Sequence, residues 1–315
     1  MAELSALSSS EARAPPYVCI YASQVAVCIG ANKHKKVSEA IDALWQRIAP
    51  HEYFAALQRN GLKTEDQNVT EIMARHQQVK GLVDRSLTLP CESSDQVAAH
   101  YDLVSRGLDS VDLQDDEKRL VDDVLKRNLY TTYGNQHEHK MLAHIRDSLG
   151  IRCRPDPTFY KQLAGTARGV QWYVGGKIDA INEDRTLLIE IKNRVNRLFN
   201  RVPFYEVIQV QTYLELLGIE QGALVECLKS AKPDVHHGDE RTVHSAGNDI
   251  HVNVIPIRRD RDLWANTVMP KLEAFVDFLL RLMDDTKLQD RYLQSKRRSV
   301  LVLNHMTAWA RARSA

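Results

Sequence analysis

Gly176-Lys177-Ile178-Asp179, followed after a polar turn by Leu187-Leu188-Ile189-Glu190-Ile191-Lys192, decides how this chain is read. Two short apolar runs, 178–181 and 187–192, flank the turn-rich linker Asn182-Glu183-Asp184-Arg185 and predict a β-hairpin. Side chains alternate along a strand, so Glu190 and Lys192 share one face and Ile191 takes the other. Asp179 on the partner strand then stands beside Glu190 at a cross-strand spacing of roughly 5 Å. Two carboxylates this close repel unless a cation or proton lies between them, and hard oxygen ligands favour Mg²⁺ or Mn²⁺. A lysine on the same face adds positive charge where a phosphoryl oxygen would develop negative charge. Such a set suits metal-dependent cleavage of phosphodiesters. The same triplet also occurs on solvated surface hairpins, so its neighbours must separate the two readings.

Upstream, Gly134-Asn135-Gln136-His137-Glu138 opens a helical pattern in which Glu138, Leu142, Ile145 and Leu149 form one stripe. A carboxylate heading an apolar stripe points inward and needs a partner, although an acid also suits a helix N-terminus on dipole grounds alone. Downstream, residues 203–218 read as a helix with proline at its start and glycine at its end. Gln209 and Tyr213 are four apart and share a face, whereas Gln211 points away. A Gln/Tyr pair can orient a phosphate or a water; polar residues on the wet side of an amphipathic helix are the plainer account.

The order of these pieces resembles the PD-(D/E)xK nucleases, and within them the lambda exonuclease and YqaJ-like viral recombinase branch. Glu138 resembles that family's helical acid, Asp179 its hairpin aspartate, Glu190 and Lys192 its E-x-K pair, and Gln209 the glutamine of the following helix. Ile20-Tyr21-Ala22-Ser23 is similar to the family's I-x-A-S motif, which contacts a DNA phosphate near the 5′ end, and Lys33 and Lys35 follow it. The resemblance covers residues 17–36 and about 130–282; residues 37–129 and 230–249 lie outside it.

By resemblance, the fold is α/β (α+β): a mixed central sheet flanked by helices, with a restriction-endonuclease-like core. The expected division is a flexible tail at 1–16, a mainly helical region at 17–129, a nuclease core at 130–285 and a C-terminal helix at 286–315. The resemblance implies metal binding by Glu138, Asp179, Glu190 and the Ile191 carbonyl, and catalysis by Glu138, Asp179, Glu190, Lys192 and Gln209. Nucleic-acid contacts are expected from Ser23, Lys33, Lys35, Arg194, Arg197 and Tyr213. The implied activity is Mg²⁺-dependent DNA hydrolysis, with Mn²⁺ as a substitute, foremost a 5′-to-3′ exonuclease on duplex ends in recombination. An endonuclease on DNA or RNA, or a non-catalytic DNA-binding scaffold, shares the fold. A single-strand annealing protein and a homotrimer are the implied partners besides DNA.

Composition excludes little. The 315 residues carry a formal net charge of +1, so no global basic field marks nucleic acid, and basic clusters are local. The run Lys192, Arg194, Arg197, Arg201 continues straight out of the proposed strand, where it could hold flanking phosphates. Five scattered cysteines form no C-x-x-C, so neither zinc nor an iron–sulfur cluster is expected, and reduced thiols suggest an intracellular setting. The longest apolar stretch, 17–30, is too short to span a bilayer, and no signal peptide is read at the N-terminus. His137 near Glu138 is the one histidine that could reach the metal site, with a core or surface position as the plainer reading. Apolar runs at 222–228 and 251–257 predict further strands, Pro256 placing the second at an edge or ending it there, and two long helices are predicted at about 260–285 and 288–311.

Overall fold

The computed structural model describes residues 17–199, 201–229, 242–244 and 250–314. The tail at 1–16, and most of the segment 230–249 with His236 and His237, lie outside the described residues. The chain begins with β1 (Val18–Tyr21) and a short α1 (Ala22–Cys28). Helices α2 (Val37–Ile48), α3 (Pro50–Arg59), α4 (Glu65–Arg75), α5 (Gln77–Thr88), α6 (Ser94–Asp109) and α7 (Asp115–Leu149) follow, broken near Pro50, Gly61 and residues 89–93 as expected. Then come β2 (Cys153–Pro155), β3 (Phe159–Ala167), β4 (Val170–Lys177), β5 (Ala180–Asn182), β6 (Leu187–Arg194), α8 (Phe204–Leu217), β7 (Gln221–Lys229), β8 (Thr242–His244) and β9 (Ile250–Arg258). A short α9 (Arg261–Leu263) runs through a π turn at Trp264–Val268 into α10 (Met269–Asp284), before α11 (Thr286–Gln294) and α12 (Arg298–Ser314).

The strands form two sheets rather than one. The larger is mixed, in the order β2-β5-β6-β7-β9-β8, with β6 and β7 parallel and joined by the α8 crossover. The smaller has the order β1-β4-β3, with β1 parallel to β4. Chain passes from one sheet to the other through Ile178 and Asp179, so the hairpin aspartate sits at the junction. Close approach makes this possible: a Cβ on Gly175 would lie 2.8 Å from the Tyr160 carbonyl, and one on Gly176 2.8 Å from the Tyr213 ring. Among the described residues, β8 pairs only with His251–Asn253 and no strand pairs with the Pro256 part of β9 on that side, which suits a proline.

Helices cover both faces of the larger sheet. Met141, Leu142 and Ile145 of α7 pack on the face of Ile189, Ile191 and Val225. On the other face, Val210, Tyr213 and Leu214 of α8 pack against Ile181, Leu188 and Leu224. A third cluster joins α1 to α3 with α10 to α12 around Trp45, Phe275 and Tyr292, and a fourth lies within α4 to α7 around Val104 and Leu125. Two expectations are revised. Helix α7 runs unbroken for 35 residues through Gly134, so the boundary at 129/130 falls inside it. The second C-terminal helix is split around Ser295, with Arg298 donating back to the Leu293 carbonyl. Among the described residues no helix is long and apolar enough to cross a membrane.

Candidate active site

Strand alternation sets the site. Residues 190, 192 and 194 of β6 share the α8 face, while Ile189 and Ile191 belong to the α7 face. Ala180 pairs with Ile189 and Ile181 with Leu188, so the register carried on by one step sets Asp179 opposite Glu190. The turn between the strands is tied by Asn182, whose Oδ1 accepts from the Thr186 and Leu187 amides at 2.7 and 2.8 Å. Asp179 Oδ2 in turn accepts from the Ile191 amide at 2.7 Å.

Glu190 is 2 % exposed. Its Oε1 accepts from Lys192 Nζ at 2.7 Å and from Gln209 Nε2 at 2.7 Å, while Lys192 also donates to Gln209 Oε1 at 3.1 Å. Tyr213, one helical turn further along α8, lies close enough to Gln209 for that amide to favour the ionised form of its hydroxyl. Gln211 faces elsewhere, bracing the end of β9 through the Arg258 carbonyl and the Asp260 amide. The second oxygen of Glu190, Oε2, is buried with no hydrogen-bond partner. A bare buried carboxylate oxygen is costly, which makes it the most telling atom of the site.

The charges follow from this packing. Burial, then the charge of Glu190 and at longer reach that of Glu138, push the Asp179 carboxyl up to about 8, against the Ile191 amide and Lys192. Burial alone would lower the Lys192 ammonium, but the charge and hydrogen bond of Glu190, with Asp179 and Glu206, more than offset it and hold it above its usual range. Burial, with the Glu190 and Asp179 charges, likewise raises the Tyr213 hydroxyl. Lys192 is thus a fixed cation, suited to stabilising negative charge and unsuited to taking a proton.

Two facing carboxylates, one with a bare buried oxygen, fit a hard divalent cation, and the Ile191 carbonyl lies on the strand between Glu190 and Lys192. Glu138 does not complete the set. It is half-buried well inside α7, near enough for its charge to raise Asp179, but among the described residues no three His, Cys, Asp or Glu side chains converge to hold a metal ion. The stripe that predicted an inward acid is otherwise present, with Leu142 and Ile145 buried. His137 turns away: it is buried against Tyr133, donates from Nδ1 to the Tyr133 carbonyl at 3.0 Å, and approaches Glu92 at 3.9 Å through Nε2.

Arg194 requires a correction. Rather than facing outward to a phosphate, its guanidinium grips Glu206 of α8 with bonds of 2.8 and 2.6 Å and donates from Nε to Glu226 of β7 at 2.8 Å. Glu226 Oε2 accepts from the Phe199 amide at 3.1 Å and from Asn253 at 3.3 Å. Parity along β6 put Arg194 on the inner face, where two buried glutamates claim it. Glu226 could have been flagged from the sequence, since a carboxylate inside the apolar run 222–228 demands a buried cation. Tyr213 is also unsuited to direct nucleic-acid contact, being 5 % exposed and packed against Gly176.

Arg197 is exposed, as are Ser23, Lys33 and Lys35. Ser23 and Lys35 line a cleft of about 820 Å³ together with Arg127 and Arg298, and its lining contains none of Asp179, Glu190 or Lys192. Asn32 shapes the basic loop by accepting from the His34 and Lys35 amides at 2.8 and 3.0 Å. His34 sets an edge against Tyr205 at the start of α8.

No protein-family model matches the chain, and no curated protein matches it. Among solved structures it is similar to a phage-related exonuclease from Haemophilus somnus 129PT, at 13 % identity and a TM-score of 0.39, over 84 % of this chain and 96 % of that one. It is also similar to an alkaline exonuclease from Laribacter hongkongensis, at 16 % identity and a TM-score of 0.35, over 67 % and 93 % of the two chains. That exonuclease has been solved in complex with dAMP as well, where the similarity is again 16 % identity with a TM-score of 0.35. Both neighbours are exonucleases by their own descriptions.

Proposed function

We propose that the chain is a metal-dependent nuclease that hydrolyses DNA phosphodiesters, acting as a 5′-to-3′ exonuclease on duplex ends. The observation that carries this reading is the bare, buried Oε2 of Glu190 beside Asp179, with Lys192 locked to the same carboxylate. An isolated surface ion pair would leave no such atom.

Asp179 and Glu190 would hold one or two Mg²⁺ ions, with the Ile191 carbonyl as a further ligand and Glu138 holding the second ion directly or through water. A bound divalent ion supplies Lewis acidity and lowers the pKa of a water, so that hydroxide is available near neutrality. Lys192 stabilises the charge that builds on the phosphoryl oxygens, since its ammonium is held protonated. Gln209 fixes the Lys192 ammonium and the Glu190 carboxylate relative to one another. Arg197, Lys33 and Lys35 supply phosphate contacts around the scissile bond and at the 5′ end.

End-labelled linear duplex, closed circular duplex and RNA, each incubated with Mg²⁺, test the proposal. Stepwise release of 5′ nucleotides from the linear substrate alone is expected. Cutting of closed circles overturns the exonuclease, and DNA that binds yet survives prolonged incubation with Mg²⁺ or Mn²⁺ overturns the nuclease.

A further inference from the structure

The smaller sheet presents a face that the chemistry above does not use. Its inner side, with Val18, Ile20, Trp172 and Val174, is buried in the core. Its outer side carries Tyr21, Phe159, Lys161 and Tyr173 at positions in register: Tyr21 and Lys161 both pair with Gly175, and Phe159 pairs with Lys177. Tyr17 extends this row, being 57 % exposed; Phe159 is 43 % and Tyr21 38 % exposed.

Rings and cations are interleaved here. Tyr21 and Phe159 meet edge to face at 5.8 Å, and Tyr17 and Tyr173 do the same at 5.8 Å. Lys161 Nζ stands 4.7 Å from the Tyr17 centroid and 4.5 Å from that of Tyr173, while Arg47 of α2 lies 4.1 Å over the Tyr21 ring. Gly175 leaves room for the Phe159 ring, since a Cβ there would come within 3.0 Å of it. The three strands β1, β3 and β4 contain no aspartate or glutamate, but they do contain Lys161 and Lys177. An exposed aromatic surface fringed by cations, without a carboxylate on its strands, complements a polyanion that carries flat π-faces. Proteins that hold single strands combine such stacking surfaces with positive charge.

We propose that this face binds single-stranded DNA, bases stacking on the exposed rings and phosphates meeting Lys161 and Arg47. The strand would lie next to the catalytic centre, because Lys177, opposite Phe159, precedes Asp179 by two residues, roughly 7 Å of backbone. Its purpose, retaining the strand that an exonuclease leaves behind, rests on the proposed activity; the binding itself does not.

Binding of a fluorescein-labelled oligo(dT) of about 16 nucleotides, followed by anisotropy in EDTA so that hydrolysis cannot intervene, tests the surface. Phe159→Ala is expected to weaken binding about tenfold, and Lys161→Gln to lower the slope of log affinity against log salt by about 0.7. Phe159→Leu, which keeps apolar area without a π-face, serves if the alanine variant fails to fold. Affinity within twofold of wild type in a variant of unchanged melting temperature overturns the proposal. So does a wild-type dimer that Phe159→Ala dissociates, which would make the face a contact between copies. Duplex digestion with Mg²⁺ is measured separately: a wild-type protein that binds oligo(dT) and digests nothing sinks the nuclease reading while leaving this surface standing.

Discussion

Two ionic networks lie on one face of a single strand, and they differ in what they leave unpaired. At Arg194, the guanidinium and both buried glutamates around it are consumed: Glu206 by a two-pronged grip, Glu226 by the Arg194 Nε, the Phe199 amide and Asn253. Two residues earlier, Lys192 and Gln209 both crowd onto Glu190 Oε1 and leave Oε2 bare. Residue types are alike and burial is similar, so neither composition nor position marks one network as structural and the other as chemical. Saturation does. A buried network whose partners are all protein atoms locks a fold, whereas one that strands a carboxylate oxygen next to a second carboxylate has room for a cation.

The largest effect expected from this contrast is on turnover. Glu190→Gln keeps the shape of the side chain and should cut nuclease activity by about 10³-fold or more, with a melting temperature at or above that of the wild type, measured on end-labelled duplex and by thermal denaturation. A Glu190→Gln protein that keeps its activity would place both networks in the structural class. Arg194→Ala should do the reverse. It leaves Glu206 and Glu226 buried without their cation, which costs about 3–5 kcal/mol in chemical denaturation. Arg194→Ala together with Glu226→Gln should recover part of that loss, because the stranded charge is gone.

A pH series sharpens the comparison further. The folded Asp179 carboxyl holds its proton up to about 8, above its ordinary value of 3.8, so the folded state binds more protons than the unfolded one across that window. Its contribution to stability is therefore present at low pH and lost as pH rises towards 8. Binding of Mg²⁺ must release that proton, so the thermal stabilisation by a fixed Mg²⁺ concentration should grow from pH 6 to pH 8 and level off above. Asp179→Asn should flatten both dependences; equal Mg²⁺ stabilisation at pH 6 and pH 8 in the wild type would remove Asp179 from the site.

The smallest effect belongs to Gly134, inside α7, where a Cβ would meet nothing within 4 Å. Gly134→Ala should stabilise the protein by up to about 1 kcal/mol, read from the denaturation midpoint, with turnover unchanged.

Much of the site follows from local rules. A period of two along 187–194 is enough to put Glu190 and Lys192 together and Ile191 behind them, and a period near four is enough to set Gln209 and Gln211 on different faces, the family resemblance choosing between them. The same parity also turned Arg194 inward, but its partner Glu226 lies on a strand reached only after the α8 crossover, and no local pattern names that pairing. Gly134 looked like a helix start because glycine is a poor helix former; packing of α7 on both sides of it outweighs that penalty. The apolar stripe read Glu138 as an inward acid, and its charge does reach Asp179, but how near α7 brings it to the hairpin depends on the path of the whole chain.

Backbone periodicity and turn chemistry, being short-range, were enough to read the hairpin, its acid pair, its lysine and the glutamine of the next helix from the amino-acid order alone. Long-range packing settled which of two neighbouring ionic clusters is closed and which keeps an open oxygen. It also split the strands into two sheets meeting at Asp179 and left a row of aromatic rings exposed. Saturation of a buried charge depends on every group within hydrogen-bonding reach, and those groups come from segments far apart along the chain.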